Sequence, residues 1–146
     1  MSLTIDASVH VSNLHSADVN HADSRAFFGR AISGLEGING PYLLVIEAAG
    51  AIARITRDTA LGISAIAGVR AVPGQLLVPL TEARADRAAE LASAYFLRGA
   101  DAAYVQVAEE TGSTLVTWDS EMLTRAASVV LTITPTDWLA ASPKSS

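Results

Sequence analysis

Residues 98–119, RGADAAYVQVAEETGSTLVTWD, show most clearly how the chain is built. Apolar residues recur at helical spacing over Asp101–Glu110, and Gly112 is typical of the residue that ends a helix. The run Ser113–Thr117 that follows is short and rich in β-branched residues, which predicts a buried strand. Asp119 then stands where another helix would begin. This order of helix, buried strand and helix is typical of α/β proteins.

The rest of the chain alternates in the same way. The predicted strands are Leu3–Ala7, Gln75–Leu80 and Val129–Thr132, and the predicted helices are His21–Leu35, Tyr42–Ile55, Thr59–Arg70, Thr81–Gly99 and Asp119–Ala126, followed by a turn at Thr136–Ala140. Asn39-Gly40-Pro41 interrupts the chain before Tyr42, where the first residues of the helix also suit a strand. Alternating strands and helices predict an α/β fold of three layers, α/β/α, with a central parallel sheet.

Length and composition predict one compact domain. The chain has 146 residues, of which 17% are charged, where soluble domains average about 25%. No apolar run approaches the roughly 18 residues that cross a bilayer, and the first residues show no signal-peptide pattern. We therefore expect a cytoplasmic protein without a membrane partner. We expect its domain to span residues 1–141, with a disordered tail over residues 142–146.

Two features of the composition argue against whole classes of chemistry. The chain has no cysteine, which excludes disulfides, thiolate nucleophiles and cysteine-based metal sites. Nine of its ten basic residues are arginine and the only lysine is Lys144, which argues against a buried catalytic lysine. The net charge of −5 argues against nonspecific binding to polyanions. It still allows a phosphate substrate that metal ions hold.

Two acidic residues interrupt apolar helical stretches. Glu47 is the only charge in residues 43–53, where an ionised carboxylate costs on the order of several kcal/mol unless it is paired or bound to a metal. Asp101 lies on the apolar stripe of its own predicted helix. Each acid also has a structural interpretation. The helix dipole, Arg54 or Arg57 would satisfy Glu47, and Asp101 would cap its helix.

Asp6 and Asp119 come at the ends of predicted strands. A strand-end turn would explain Asp6, and a helix cap would explain Asp119. In a parallel sheet, however, the C-terminal ends of the strands share one edge with the starts of the following helices, and such folds bind ligands there. We therefore expect Asp6, Glu47, Asp101 and Asp119 to converge. Four carboxylates repel one another unless cations hold them, and oxygen ligands alone select one or two ions of Mg²⁺ or Mn²⁺.

Motifs over nearly the whole chain resemble a PIN domain of the VapC toxin type. They are Ile5-Asp6-Ala7-Ser8, the helix start at Glu47, Arg98-Gly99-Ala100-Asp101-Ala102-Ala103-Tyr104-Val105 and Leu115-Val116-Thr117-Trp118-Asp119. The resemblance implies a Mg²⁺- or Mn²⁺-dependent endoribonuclease that is usually a homodimer. As the toxin of a type II pair, such a protein would also have a cognate antitoxin. The catalytic and metal-binding residues would be Asp6, Glu47, Asp101 and Asp119, supported by the hydroxyls of Ser8 and Thr117.

Hydrolysis of RNA suits these residues better than the alternatives. Metal ions held by carboxylates lower the pKa of a bound water and offset the charge of the transition state, so that the expected products carry 5′-phosphate and 3′-hydroxyl ends. An aspartate-nucleophile phosphatase or a phospho-accepting receiver is the enzymatic alternative, but both use a lysine near the site. The other alternative is a catalytically silent PIN-like module that binds RNA or a protein.

Several other residues have both a functional and a structural interpretation. Trp118 suits base stacking, but a position beside a strand end favours packing. His10, His15 and His21 do not share a helical face, so we expect surface or half-buried histidines rather than metal ligands. Phe27 and Phe28 suit packing or a partner groove, and together with the Ile63–Ile66 helix they motivate the homodimer. The arginines expected along an RNA groove are Arg25, Arg30, Arg54, Arg57, Arg84, Arg87 and Arg98.

Overall fold

A five-stranded parallel sheet runs through the centre of the molecule. The computed structural model describes residues 1–142. Its strands are β1 (Ser2–Ile5), β2 (Gly37–Pro41), β3 (Gln75–Val78), β4 (Thr114–Val116) and β5 (Thr132–Ile133). Its helices are α1 (Ala7–Leu14), α2 (His21–Ser33), α3 (Leu43–Thr56), α4 (Thr59–Arg70), α5 (Glu82–Tyr95), α6 (Gly99–Thr111), α7 (Ser120–Arg125) and α8 (Pro135–Ala141). The strands lie in the order β3-β2-β1-β4-β5, and all neighbours are parallel.

Helices cover both faces of this sheet, and a separate hydrophobic core fills each face. One core joins Leu115 of β4 to buried residues of α3 to α6, such as Leu44 and Tyr104. The other core joins Leu3 and Ile5 of β1 to buried residues of α2 and α8. The predicted three-layer α/β/α architecture is therefore confirmed. Among residues 1–142, no helix is long and apolar enough to cross a membrane.

The carboxyl ends of all strands share one edge of the sheet, because the strands run in the same direction. In the central pair, Ile5 of β1 lies opposite Val116 of β4. The pairing continues one residue further, since the backbone N–H of Asp6 donates to the carbonyl of Val116 at 2.9 Å. Asp6 and Thr117 thus leave the sheet side by side, and helix α1 begins at the same edge.

Two elements near the N-terminus differ from the sequence prediction. Helix α1 begins at Ala7, the last residue of the predicted Leu3–Ala7 strand, and otherwise occupies a segment in which no element is predicted. It begins directly after β1 because the Asp6 carboxylate accepts a hydrogen bond from the backbone N–H of Ser8. Strand β2 occupies the predicted turn before Tyr42, although Gly and Pro are disfavoured in strands. Close packing accounts for Gly40, since a Cβ there would lie 3.1 Å from a methyl carbon of Leu44.

The C-terminal elements are also shifted from their predicted bounds. Strand β5 has only two residues and lies later than the predicted Val129–Thr132 strand, because Val129 still belongs to the turn that follows α7. Helix α8 replaces the predicted turn. It begins at Pro135, and the Thr134 hydroxyl caps it by accepting from the backbone N–H of Asp137 at 3.1 Å. Of the predicted tail, Ser142 is the C-cap of α8, and residues 143–146 lie outside the described residues.

Phe27 and Phe28 belong to the core and line no partner groove. Both side chains are buried, and the Phe27 ring packs edge-on against Trp138 with centroids 5.0 Å apart. These two residues therefore give no support to a homodimer face. Ile63 of α4, the other part of that expectation, is exposed.

Of the three histidines, His10 lies deeper than the sequence predicts. His10 is buried, and burial lowers its pKa to about 3. His15 and His21 are half-buried, as expected. Trp118 packs partly against the second core, and its indole N–H donates to the Ser24 hydroxyl at 2.9 Å. The structural interpretation of Trp118 is thus the one that the fold supports.

Candidate active site

Asp6 is a buried carboxylate at the end of the central strand. Its side chain is 7% exposed. Oδ2 accepts hydrogen bonds from the Ser8 hydroxyl at 2.6 Å, from the Ser8 backbone N–H at 3.3 Å and from the Thr117 hydroxyl at 2.9 Å. Burial raises the pKa of Asp6, and these hydrogen bonds offset part of that increase. Ser8 and Thr117 therefore both donate hydrogen bonds to Asp6.

Asp119 is connected to Asp6 through the same threonine. The Thr117 hydroxyl oxygen accepts a hydrogen bond from the backbone N–H of Asp119 at 3.0 Å. Oδ1 of Asp119 caps helix α7 by accepting from the backbone N–H groups of Glu121 and Met122 at 2.9 and 3.2 Å. The structural interpretation of Asp119 as an N-cap is thus correct, and the second carboxylate oxygen accepts from Arg98.

Glu47 lies in the second turn of α3, not at the helix start that the sequence predicts. The helix begins at Leu43, so Glu47 is its fifth residue. Oε1 of Glu47 accepts a hydrogen bond from the hydroxyl of the buried Tyr104 at 2.7 Å. Burial raises the pKa of Glu47, the Tyr104 hydrogen bond lowers it, and the negative charges of Asp6 and Asp101 raise it further. Within residues 1–142, Glu47 forms no salt bridge, so neither arginine of the structural interpretation satisfies it.

Asp101 and Asp119 share one arginine. Asp101 lies in the first turn of α6, and Arg98 is the residue before that helix. The Arg98 guanidinium donates through Nε to Oδ2 of Asp101 at 3.0 Å and through Nη2 to Oδ2 of Asp119 at 2.6 Å. The sequence predicts no contact between Arg98 and the acids, and Arg98 is expected only among the arginines along an RNA groove. Its spacing of three residues before Asp101 is the available signal, since such residues are neighbours on a helix.

Each of three acids keeps one carboxylate oxygen without a hydrogen bond. Among the described residues, Oδ1 of Asp6, Oε2 of Glu47 and Oδ1 of Asp101 accept none. Both oxygens of Asp119 are engaged, one by the α7 cap and one by Arg98. The charge of Asp101 raises the pKa of Asp6, and the charges of Asp6 and Asp101 raise the pKa of Glu47, as repulsion between carboxylates does.

The donor chemistry of these acids fits a hard divalent cation, since Mg²⁺ and Mn²⁺ prefer carboxylate oxygens. Buried Asp6 with an uncompensated oxygen is the observation that points most directly to such an ion. In the structure, however, the carboxylates of these acids do not surround a single point. Across residues 1–142 no group of three or more His, Asp or Glu side chains is arranged to hold a metal ion. Binding an ion through three of the acids therefore requires side-chain rearrangement.

An open groove of about 470 Å³ lies beside Glu47. Ser8 and Glu47 line it together with Arg54 and apolar residues of α1 and α3. Two other arginines that the sequence assigns to a groove are engaged elsewhere. Arg84 pairs with Glu110 at 2.8 Å, and Arg87 pairs with Glu109 at 2.7 Å, both between α5 and α6.

The fold is shared with several solved structures, although sequence identity to each is low. VapC20 of Mycobacterium tuberculosis, a Sarcin-Ricin loop cleaving toxin, matches with a TM-score of 0.71 at 16% identity, over 88% of this chain and 96% of that one. PAE2754 from Pyrobaculum aerophilum matches with 0.69 at 23% identity, over 96% and 93%. A toxin-antitoxin complex from Klebsiella pneumoniae matches with 0.63 at 15% identity, over 91% and 97%. At these identities the likeness establishes the fold alone.

The family of the chain follows from comparing its sequence with family models. No curated protein matches it. The family model of the PIN domain matches residues 3–128, a span that includes all four acids of the candidate site. The architecture agrees with that match, because a parallel sheet covered on both faces brings the PIN-like motifs to one edge. The chain therefore belongs to the PIN domain family.

Proposed function

We propose that this chain is a metal-dependent endoribonuclease and the toxin of a toxin-antitoxin pair. The proposal rests on four acids, Asp6, Glu47, Asp101 and Asp119, which come from four separate elements of a PIN domain and are linked through Thr117, Arg98 and the effects of their charges on one another. The fold shared with a Sarcin-Ricin loop cleaving toxin supports the choice of RNA as the substrate. The proposed products carry 5′-phosphate and 3′-hydroxyl ends.

The oxygens without hydrogen bonds support a role for each acid. Asp6 and Asp101 would hold Mg²⁺ or Mn²⁺ directly through these oxygens, Glu47 would face the ion through a bound water, and Asp119 would complete the site once Arg98 releases it. Such an ion supplies charge for the phosphodiester and lowers the pKa of a bound water. Ser8 and Thr117 fix the Asp6 carboxylate in one orientation.

Glu47 is the acid best placed to accept a proton in the reaction. It is half-buried and borders the groove beside the site. Burial raises its pKa from 4.5, which brings the group closer to the pH at which a general base works efficiently. The Tyr104 hydroxyl holds Oε1 in place and leaves Oε2 for this role.

The partners that we propose are an RNA substrate, a cognate antitoxin and a second copy of the chain. Support for the antitoxin comes from the fold shared with a toxin-antitoxin complex. Support for a homodimer comes from exposed apolar side chains on α3 and α4, namely Ile46, Ile55, Leu61 and Ile63. Burying such a surface against a second copy is favourable. We place the protein and its RNA in the cytoplasm.

Cleavage of a structured RNA by the purified protein tests the function. We expect cutting with Mn²⁺ and none with EDTA. Asp6→Asn keeps the shape of the side chain but removes the charge that a divalent ion needs, so activity should fall at least about 100-fold. Asp86→Asn, on the exposed face of α5, is the matched control and should cut like the wild type.

The stability of Asp6→Asn supplies a second measurement on the same sample. Burial raises the pKa of Asp6 above 3.8, so the native state binds the proton more tightly than the unfolded chain does. The stability that this difference gives is complete below pH 3.8 and is lost as the pH rises through the raised pKa. Asn has no charge to bury, so near neutral pH the melting temperature of the variant should equal or exceed that of the wild type. A variant that melts lower and still cuts RNA would contradict the assignment of Asp6.

A binding module without catalysis is the second candidate, and Arg98 is the observation in its favour. Arg98 forms ion pairs with both Asp101 and Asp119. Such a module would bind RNA equally well with Mn²⁺ and with EDTA and would leave it intact. Product analysis after incubation with Mn²⁺ separates the two functions.

A further inference from the structure

Phe96 is the most exposed aromatic residue of the chain. Its side chain is 77% exposed, against 44% for Tyr42, and the other Phe, Trp and Tyr residues are buried or half-buried. Phe96 takes part in neither hydrophobic core. A phenyl ring has no polar atom to offer to water, so leaving it outside the core forgoes the stabilisation that burying a large apolar side chain gives.

The backbone of Phe96 is held at the border of the acidic site. Two residues after Phe96, Arg98 binds both Asp101 and Asp119. The Phe96 carbonyl accepts a hydrogen bond from Arg125, a residue of the helix that Asp119 caps. Because two residues of extended chain span at most about 7 Å, the Phe96 backbone lies close to the arginine that binds the acids.

We propose that Phe96 is a stacking platform for an RNA base next to the cleavage site, an inference that rests on the proposed ribonuclease function. An aromatic face stacks on every base, so one ring adds affinity without demanding a sequence. Arg98, with its side chain 67% exposed, follows two residues along the chain, and Arg125 hydrogen-bonds the Phe96 carbonyl; both arginines also pair with acids, and a phosphate near the ring can share them. Aromatic rings next to basic side chains are the combination that binds single-stranded nucleic acids.

A protein partner is the competing explanation for the exposed ring. Protein interfaces are built on contiguous apolar surface. The chain neighbours of Phe96 are half-buried Tyr95, buried Leu97 and then charged Arg98. A single ring next to a cationic group at the acidic edge suits a base better than it suits a protein surface.

The conformation of the Phe96 backbone makes a sharp test possible. Phe96 has a φ of 55°, in the left-handed region that costs a bulky residue energy and a glycine almost nothing. Leu35 has the same φ of 55° and is 90% exposed. Leu35 precedes β2, at the amino-terminal edge of the sheet and away from the acids. Glycine relieves the same backbone strain at both positions but removes a ring beside the site only at Phe96.

The test measures RNA affinity and stability on the same variants, all made in the Asp6→Asn protein so that the RNA stays intact. The probe is a fluorescein-labelled single-stranded RNA of about 12 nucleotides, followed by fluorescence anisotropy, and stability is the midpoint of urea unfolding. Phe96→Gly should raise the midpoint and yet weaken RNA binding by about fivefold to 150-fold, the loss of one base stack. Leu35→Gly should raise the midpoint and leave the affinity unchanged.

Two further variants separate stacking from simple apolar contact. Phe96→Trp should bind RNA at least as tightly as the parent, and Phe96→Leu should bind as weakly as Phe96→Gly. Unchanged affinity in Phe96→Gly overturns the proposal, and if light scattering then shows a lower mass for this variant, the ring is a contact between copies. If the parent does not bind the RNA and the wild type does not cut RNA, the proposed function itself fails.

Discussion

Replacing Tyr104 by phenylalanine removes one hydroxyl from the support of the acidic site. Tyr104 is fully buried, and its hydroxyl donates to Oε1 of Glu47 at 2.7 Å. A hydrogen bond to a charged group contributes about 1.5–3 kcal/mol to stability. Since Glu47 is only half-buried, water can replace part of the lost bond. We therefore expect Tyr104→Phe to lower the free energy of unfolding by about 1.5 kcal/mol at neutral pH, the low end of that range.

The loss should depend on pH in a defined direction. The Tyr104 hydrogen bond lowers the pKa of Glu47, whereas burial raises it above 4.5. The bond therefore stabilises the ionised form, and its removal raises the pKa of Glu47 in the native state further. By linkage, the cost of Tyr104→Phe is largest above that pKa and shrinks as the pH falls through it.

Urea unfolding of the metal-free protein at about pH 8 and about pH 4 measures this difference. Tyr95→Phe is the matched control, because the Tyr95 hydroxyl forms no hydrogen bond within residues 1–142, and it should cost little at either pH. In a Glu47→Gln background the pH dependence of Tyr104→Phe should disappear. An equal loss at both pH values would refute the reasoning, since the bond would then not depend on the charge of Glu47.

Three further substitutions test the positive charge of Arg98 beside the acids and the packing of the helices. Arg98→Gln removes a cation that competes with a metal ion, so Mn²⁺ affinity measured by calorimetry should rise about fivefold; Arg87→Gln is the control, and equal affinities would contradict the role of Arg98. Gly62→Ala would place a Cβ 2.7 Å from that of Ala53 and should lower the free energy of unfolding by about 1–3 kcal/mol. Gly29→Ala, with nothing within 4 Å, should instead stabilise by about 0.5–1 kcal/mol in the same urea titration.

Hydrophobic periodicity predicts the elements of this fold where local sequence dominates, and it fails where packing decides. The sequence predicts α6 and β4 correctly, because an apolar helical stripe, a glycine and a β-branched run follow one another there. Strand β2 is missed because GINGP has the composition of a turn, and only close contact with Leu44 makes a glycine suitable there. Helix α1 is missed because its start depends on a cap by Asp6, which could equally end a strand.

In the candidate site, too, the sequence predicts one part and misses another. Four acids in apolar or strand-end positions are visible in the sequence, because a buried charge conflicts with its surroundings wherever it stands. The contacts that organise them are not visible. Arg98 and Asp119 lie 21 residues apart, and Tyr104 and Glu47 lie 57 apart. No local pattern pairs residues at such distances, so these partners emerge only once the sheet has brought the helices together.

Strand β4 has only three residues, and this brevity limits how the chain can change. Leu115 packs into one core, Val116 into the other, and the next residue, Thr117, holds Asp6 and the start of α7. A one-residue insertion or deletion in a strand turns every following side chain to the opposite face. Here it would exchange the two cores and remove the shared hydroxyl in a single event. Length variation among relatives should therefore avoid this segment, even where its individual residues differ.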